Sequence, residues 1–211
     1  MKKLIVLLVL AVVASPAFAG VSGTPHDLSG AASATTTDEI CVFCHTPHGS
    51  AGTGNLLWNR SFGTSTFTAS DLYNSLTLEA TSNPVTTPAV PAAVAASDAP
   101  LCLSCHDGSQ TLSALTNPPN AVSGTLAVTE AIQAATNGVN LGTSMTNDHP
   151  IGMNYADAAG SDAGIIAGAA PYLNNGNMWC SSCHDVHDNS NGEFLLVDNA
   201  GSNLCLTCHN K

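Results

Sequence analysis

The sequence predicts a mostly irregular chain in which a few short helices wrap bodies larger than any side chain. Three observations predict it. Aromatic residues make up only 5% of the chain, and much of its 44% hydrophobic fraction is alanine, so its own side chains make a thin core. Long stretches are built from Gly, Ser, Thr, Asn, Ala and Pro, which favour turns and extended segments over packed elements. The pattern Cys-x-x-Cys-His occurs four times, at Cys41–His45, Cys102–His106, Cys180–His184 and Cys205–His209, and uses all eight cysteines and half of the eight histidines.

Cys-x-x-Cys-His is the attachment motif of haem c. Its two thiols, Cys41/Cys44, Cys102/Cys105, Cys180/Cys183 and Cys205/Cys208, add to the two vinyl groups of one porphyrin. The next residue, His45, His106, His184 or His209, lies under the iron as proximal ligand. Four motifs with no cysteine left over predict four haem c groups. Each is a large flat apolar body that supplies the missing core. The predicted fold class is a multihaem cytochrome c, mostly coil with a few short helices packed around four haems. The chain without haem is expected to be unfolded or molten, because binding free energy here is also folding free energy. Zinc is the competing use of paired Cys-x-x-Cys motifs, but the adjacent histidine in all four and the export signal below favour haem.

Lys2 and Lys3, the apolar run Leu4 to Ala14, and Ala17-Phe18-Ala19 read as a secretory signal over residues 1–19, with cleavage leaving Gly20 first. The run is shorter than the roughly 20 residues of a membrane span, so no span is expected after cleavage. Losing Lys2 and Lys3 with the leader takes the formal net charge from -11 to -13 and leaves Arg60 and Lys211 as the only strong bases. That balance excludes nucleic acid and anionic membrane surfaces as partners. An oxidising compartment usually implies disulfides, yet here every thiol already has a vinyl partner.

The remaining histidines expose a repeat. The order His26, Cys41–His45 with His48 three residues on, then Cys102–His106, recurs as His149, Cys180–His184 with His187 three residues on, then Cys205–His209. Both plain motifs carry leucine on each side of the first cysteine. Residues 20–211 therefore read as one cytochrome domain made of two-haem modules, at about 20–125 and 126–211. A helical turn is expected at each motif, with short helices at Ser70–Glu79, capped by Ser70, and around Thr129–Ala135. Thr81 to Pro100, with four prolines, reads as an extended surface excursion.

The count of spare histidines equals the count of motifs: His26, His48, His149 and His187 as distal ligands close four bis-histidine irons with none left open. A histidine three residues past a proximal one reaches a neighbouring haem more easily than the far face of its own. His48 is thus assigned to the haem on Cys102/Cys105, and His187 to the haem on Cys205/Cys208. His149, held extended by Pro150, is assigned to Cys180/Cys183. His26 is assigned to Cys41/Cys44 or to a haem in another subunit. Met145, Met153 and Met178, the alternative axial ligands, read as packing. Trp58 and Trp179 read equally as porphyrin neighbours or core. The Asn59-Arg60-Ser61 match to a glycosylation acceptor is discounted.

His26-Asp27-Leu28-Ser29, the Cys41–His48 block, Leu57-Trp58-Asn59-Arg60, Cys102–Gly108, His149-Pro150 and Cys180–His187 together resemble exported multihaem cytochromes with doubled haem motifs. Within that group the chain is similar to tetrahaem cytochromes that polymerise into extracellular nanowires. The resemblance implies a continuous chain of haems through each subunit and across interfaces, with one distal histidine donated by an adjacent subunit, for which His26 is the candidate. It implies a secreted or cell-surface electron-transfer protein rather than an enzyme, whose partners are copies of itself, other redox proteins and extracellular acceptors. The alternatives are a monomeric periplasmic shuttle, a class usually richer in lysine, and a multihaem reductase, which needs an open iron.

Overall fold

The computed structural model describes residues 20–29, 37–50, 56–62, 67–78, 80, 97–112, 114–118, 139–167 and 172–210. Its regular structure is concentrated at the Cys-x-x-Cys-His motifs. A 3-10 turn, Ile40–Phe43, carries the first. Helix α1, Ala99–His106, carries the second. A 3-10 turn, Cys180–Ser182, opens the third, and α3, Asn203–Leu206, carries the fourth behind a 3-10 turn at Ala200–Ser202. Among the described residues the one helix away from a motif is α2, Tyr155–Ser161, whose Asn154 side chain caps it by accepting from the Asp157 N–H. Among the described residues there are isolated bridges and no strands.

Local chemistry explains the turns at the motifs. The His45, His184 and His209 N–H groups donate to the carbonyls of Cys41, Cys180 and Cys205 at 2.8, 3.1 and 2.9 Å. One turn of helix thus brings cysteines i and i+3 to one face and sets the histidine beside them.

Two expectations fail. Ser70 to Leu78 forms turns rather than a helix. Asp71 captures the Thr68 N–H and hydroxyl at 2.9 and 2.6 Å, and Leu78 N–H returns to Ser75 O at 3.1 Å, so local bonds compete with the helical ladder. The extended excursion ends sooner than Pro100. Ala99 and Pro100 open α1, where proline's missing N–H costs nothing. Residues 81–96, the expected helix at Thr129–Ala135 and the leader at 1–19 lie outside the described residues.

The core is as thin as the composition predicts. One cluster joins Phe67, Leu72, Ala99, Leu103, Met145 and Trp179. A second joins Met153, Tyr155 and Met178. All three methionines are thus buried packing residues. Cys180 borders the first cluster and Cys208 the second, so both clusters end at cysteines of the Cys-x-x-Cys-His motifs.

Candidate haem-binding site

Each half of the chain builds its first motif in the same way. In the first half, Thr46 N–H donates to Leu57 O at 2.8 Å and Asn59 N–H to Cys44 O at 2.9 Å, bridging His45 to Trp58. In the second, Asp185 N–H donates to Phe194 O at 2.8 Å and Leu196 N–H to Cys183 O at 2.9 Å, bridging His184 to Leu195. Both returning segments need a left-handed residue, Leu57 at φ 49° and Phe194 at φ 58°. The first return carries Leu57-Trp58-Asn59-Arg60, one of the blocks that drew the family resemblance; nothing in its hydrophobic pattern marked it as the clamp of a motif.

That clamp orients the histidine. His45 Nδ1 is 2.8 Å from Leu56 O, His184 Nδ1 is 3.0 Å from Glu193 O, and His106 Nδ1 is 2.7 Å from Val139 O. A backbone carbonyl accepts only from a protonated nitrogen, so the proton is fixed on Nδ1 and the Nε2 lone pair is left for a metal.

The rings then pair. His45 and His187 lie 6.1 Å apart between centroids, with planes 20° from parallel. His106 and His26 are 6.0 Å apart, and His209 and His149 are 6.3 Å apart. Two metal–nitrogen bonds of about 2 Å, each with about 1.2 Å more to its ring centre, put coaxial imidazoles about 6.4 Å apart. The separations admit an iron between the rings, and His45 keeps a similar 6.0 Å from Trp58, edge to face. The residues present fit an axially ligated haem iron.

These pairings depart from the expected ones. His187 meets His45 of the other half, His26 meets His106, and His149 meets His209. The cause is tertiary: the loop after the third motif folds back on the first, and Gly20 N–H donates to His187 O at 2.8 Å to pin it. A Cβ at Gly20 would lie 2.9 Å from that carbonyl, so only glycine allows the approach. His26 is half-buried against Phe194 within its own chain, beside His106. His48 and His184 are exposed, and neither has a ring partner among the described residues.

Burial governs the remaining titrations. It lowers the His26 pKa, helped by His106 and His184, so the ring stays a neutral donor. It pushes the Cys44 thiol up to about 11, with Cys105 adding to the rise and Arg60 opposing it. A hydrogen bond with Cys180, and then burial, raise the Cys102 thiol, and with Asp98 the donor atoms of the two cysteines all lie within 4.8 Å. That trio has the spacing of a metal site; Cys102 belongs to the second motif and Cys180 to the third, so it is also where the two motifs meet. Asn59 is fully buried, which excludes it as a glycan acceptor.

Short helices gathered at four Cys-x-x-Cys-His motifs, with histidines oriented through Nδ1, are the arrangement a multihaem cytochrome c requires. Residues 171–211, which hold the third and fourth motifs, match the family model of the doubled CXXCH motif, so covalent haem c and electron transfer are the chemistry of this stretch. No curated protein matches the chain. No helix among the described residues is long and apolar enough to cross a membrane.

Proposed function

We propose that the chain carries electrons through four covalently bound haem c groups, each iron held by two histidines, as a polymerising subunit of an extracellular filament that delivers electrons to external acceptors. Haem supplies the one-electron Fe(III)/Fe(II) chemistry when bound. The chain's own residues hold the porphyrins, fix the ligand tautomers and keep water from the inner sulfurs. The observation that carries this reading is the ring pairing. Six histidines form three pairs at metal-spanning distance, and the two left over, His48 and His184, are one distal and one proximal candidate.

The repeat suggests how that last pair closes. His187 of the second module serves His45, the first proximal histidine of the first module. His48 is the counterpart of His187, and His184 the counterpart of His45. If each module serves the one before it, the His184 iron takes His48 from the first module of the next subunit. The contact made inside one chain is then repeated between chains, a head-to-tail interface that does not close and so builds a filament. The attachment sites also neighbour one another in chain order. Asn59 and Arg60 tie the first to the second, Cys102 and Cys180 join the second to the third, and Cys183 lies close to Cys205 and Cys208 of the fourth.

Electron microscopy of sheared extracellular material tests the reading and is expected to show ordered filaments of this chain; dispersed monomers alone would refute it in favour of a shuttle. His48→Ala should abolish filaments and leave about a quarter of the iron high-spin, whereas His26→Ala should create a high-spin haem yet still assemble. Filaments of His48→Ala with every haem low-spin would overturn the donor assignment.

A further inference from the structure

Arg60, the only arginine of the chain, is 1% exposed. Its guanidinium donates to Leu112 O and Thr111 O at 2.8 Å each, and more weakly to Ser104 O at 3.5 Å, inside the second motif. Its Nε is buried without a partner. Among the described residues no carboxylate pairs with it; the one ion pair is His187 with Asp185. A buried cation held only by carbonyl dipoles keeps its full charge and costs several kcal/mol to desolvate. It sits between the first and second attachment sites, beside the Asn59 N–H that holds Cys44 O.

Asp98 is its opposite at the next junction. Its Oδ2 accepts the Ser181 N–H at 2.6 Å, which ties the start of α1 to the third motif. Its Oδ1 is buried and has no partner. It shares the 4.8 Å cluster with Cys102 and Cys180.

We propose that Arg60 and Asp98 are the fixed charges that order the potentials along the haem chain, Arg60 raising those at the first and second attachment sites and Asp98 lowering those at the second and third. This rests on the reading that each motif carries a haem. Taking up an electron makes an iron centre less positive, with no bond made or broken. A nearby buried cation favours that change and a nearby anion opposes it; Arg60 is enclosed, and half-buried Asp98 keeps its Oδ1 inside, where screening is weakest. The second site feels both charges and they offset there. The first site is left raised and the third lowered, so the two modules differ in potential although their motifs match.

The test is a spectroelectrochemical titration of the full haem-loaded chain, with attached haems counted by intact mass. Asp98→Asn still accepts from Ser181 N–H but loses the charge. It should raise two of the four macroscopic midpoints at least threefold in reduction equilibrium constant, ~28 mV for one electron, and move the others less. Arg60→Gln should lower two midpoints, while Arg60→Lys, which keeps the charge and loses the fork, should leave them near wild type. Asp98→Asn midpoints that all stay within threefold, fall, or shift equally would overturn the proposal. A wild-type mass short of four haems would instead refute the underlying haem assignment, so the two failures are distinguishable.

Discussion

Replacing Asn59 with alanine should be among the most damaging single changes outside the haem ligands. Asn59 is 0% exposed. Its Nδ2 donates to Val42 O at 2.7 Å and to Asn117 O at 2.9 Å, and its Oδ1 accepts from Asn117 N–H at 2.8 Å. Alanine removes three hydrogen bonds at about 1 kcal/mol each, two of them to exposed Asn117 where water takes over in part, and leaves a small cavity at a fully buried side chain, about 3–4 kcal/mol together. A domain of this kind has about 5–15 kcal/mol in total, so the loss is a large fraction. The damage is local to function, because Val42 lies between Cys41 and Cys44. The assay is urea unfolding of the haem-loaded protein followed at the Soret band. With a slope of about 2 kcal/mol/M, the midpoint should fall by about 2 M. Asn59→Asp should do at least as much harm at neutral pH, since a carboxylate oxygen would face the two carbonyls. Asn117→Ala removes an exposed donor to Thr46 Oγ1 and His48 O and should cost only about 1 kcal/mol. A midpoint shift below about 0.5 M for Asn59→Ala would refute the reasoning, because losing three hydrogen bonds from a fully buried side chain cannot cost so little.

His187→Ala should turn one haem high-spin, and resonance assignment should place it on Cys41/Cys44; a change at Cys205/Cys208 would reinstate the pairing expected from sequence. Asp71 has its carboxyl held below its ordinary value of 3.8, first by the Thr68 hydroxyl and then by the Thr68 N–H. A depressed carboxyl contributes stability that is fully present above 3.8 and is lost as pH falls through its folded value; carboxyl NMR of the reduced protein should find it titrating below a free aspartate, and Thr68→Ala should bring it back. Chain made without haem attachment should show little ordered structure by circular dichroism, since both side-chain clusters end at cysteines of the Cys-x-x-Cys-His motifs; a native-like spectrum would contradict the thin-core argument.

Much of the site was legible before any fold. Spacing alone sets the helical turn at each motif, because cysteines three apart and a histidine four on share one face only in a helix. Composition foretold the small core, and packing was the right reading of Met145, Met153 and Met178. The segment after Ser70 misled because Asp71 and Ser75 offer the backbone closer partners than a helix would, a competition that propensity does not weigh. The clamp at Leu57-Trp58-Asn59-Arg60 was visible as a motif but not as a structure, since its left-handed residue is leucine rather than glycine.

Legible in the chain alone is the motif pattern: which cysteines pair three apart, which histidine follows each pair, and how many other histidines remain. Those depend on neighbours within one turn of chain. What only the tertiary structure decided is partnership. His187 reaches His45 across more than half the chain, His26 lies against Phe194 and His106, and Arg60 and Asp98 come to rest beside sulfurs of motifs far from them in sequence. Ligand pairing and local potential depend on distances through space, and a chain with so little regular structure carries no periodicity from which those distances could be read.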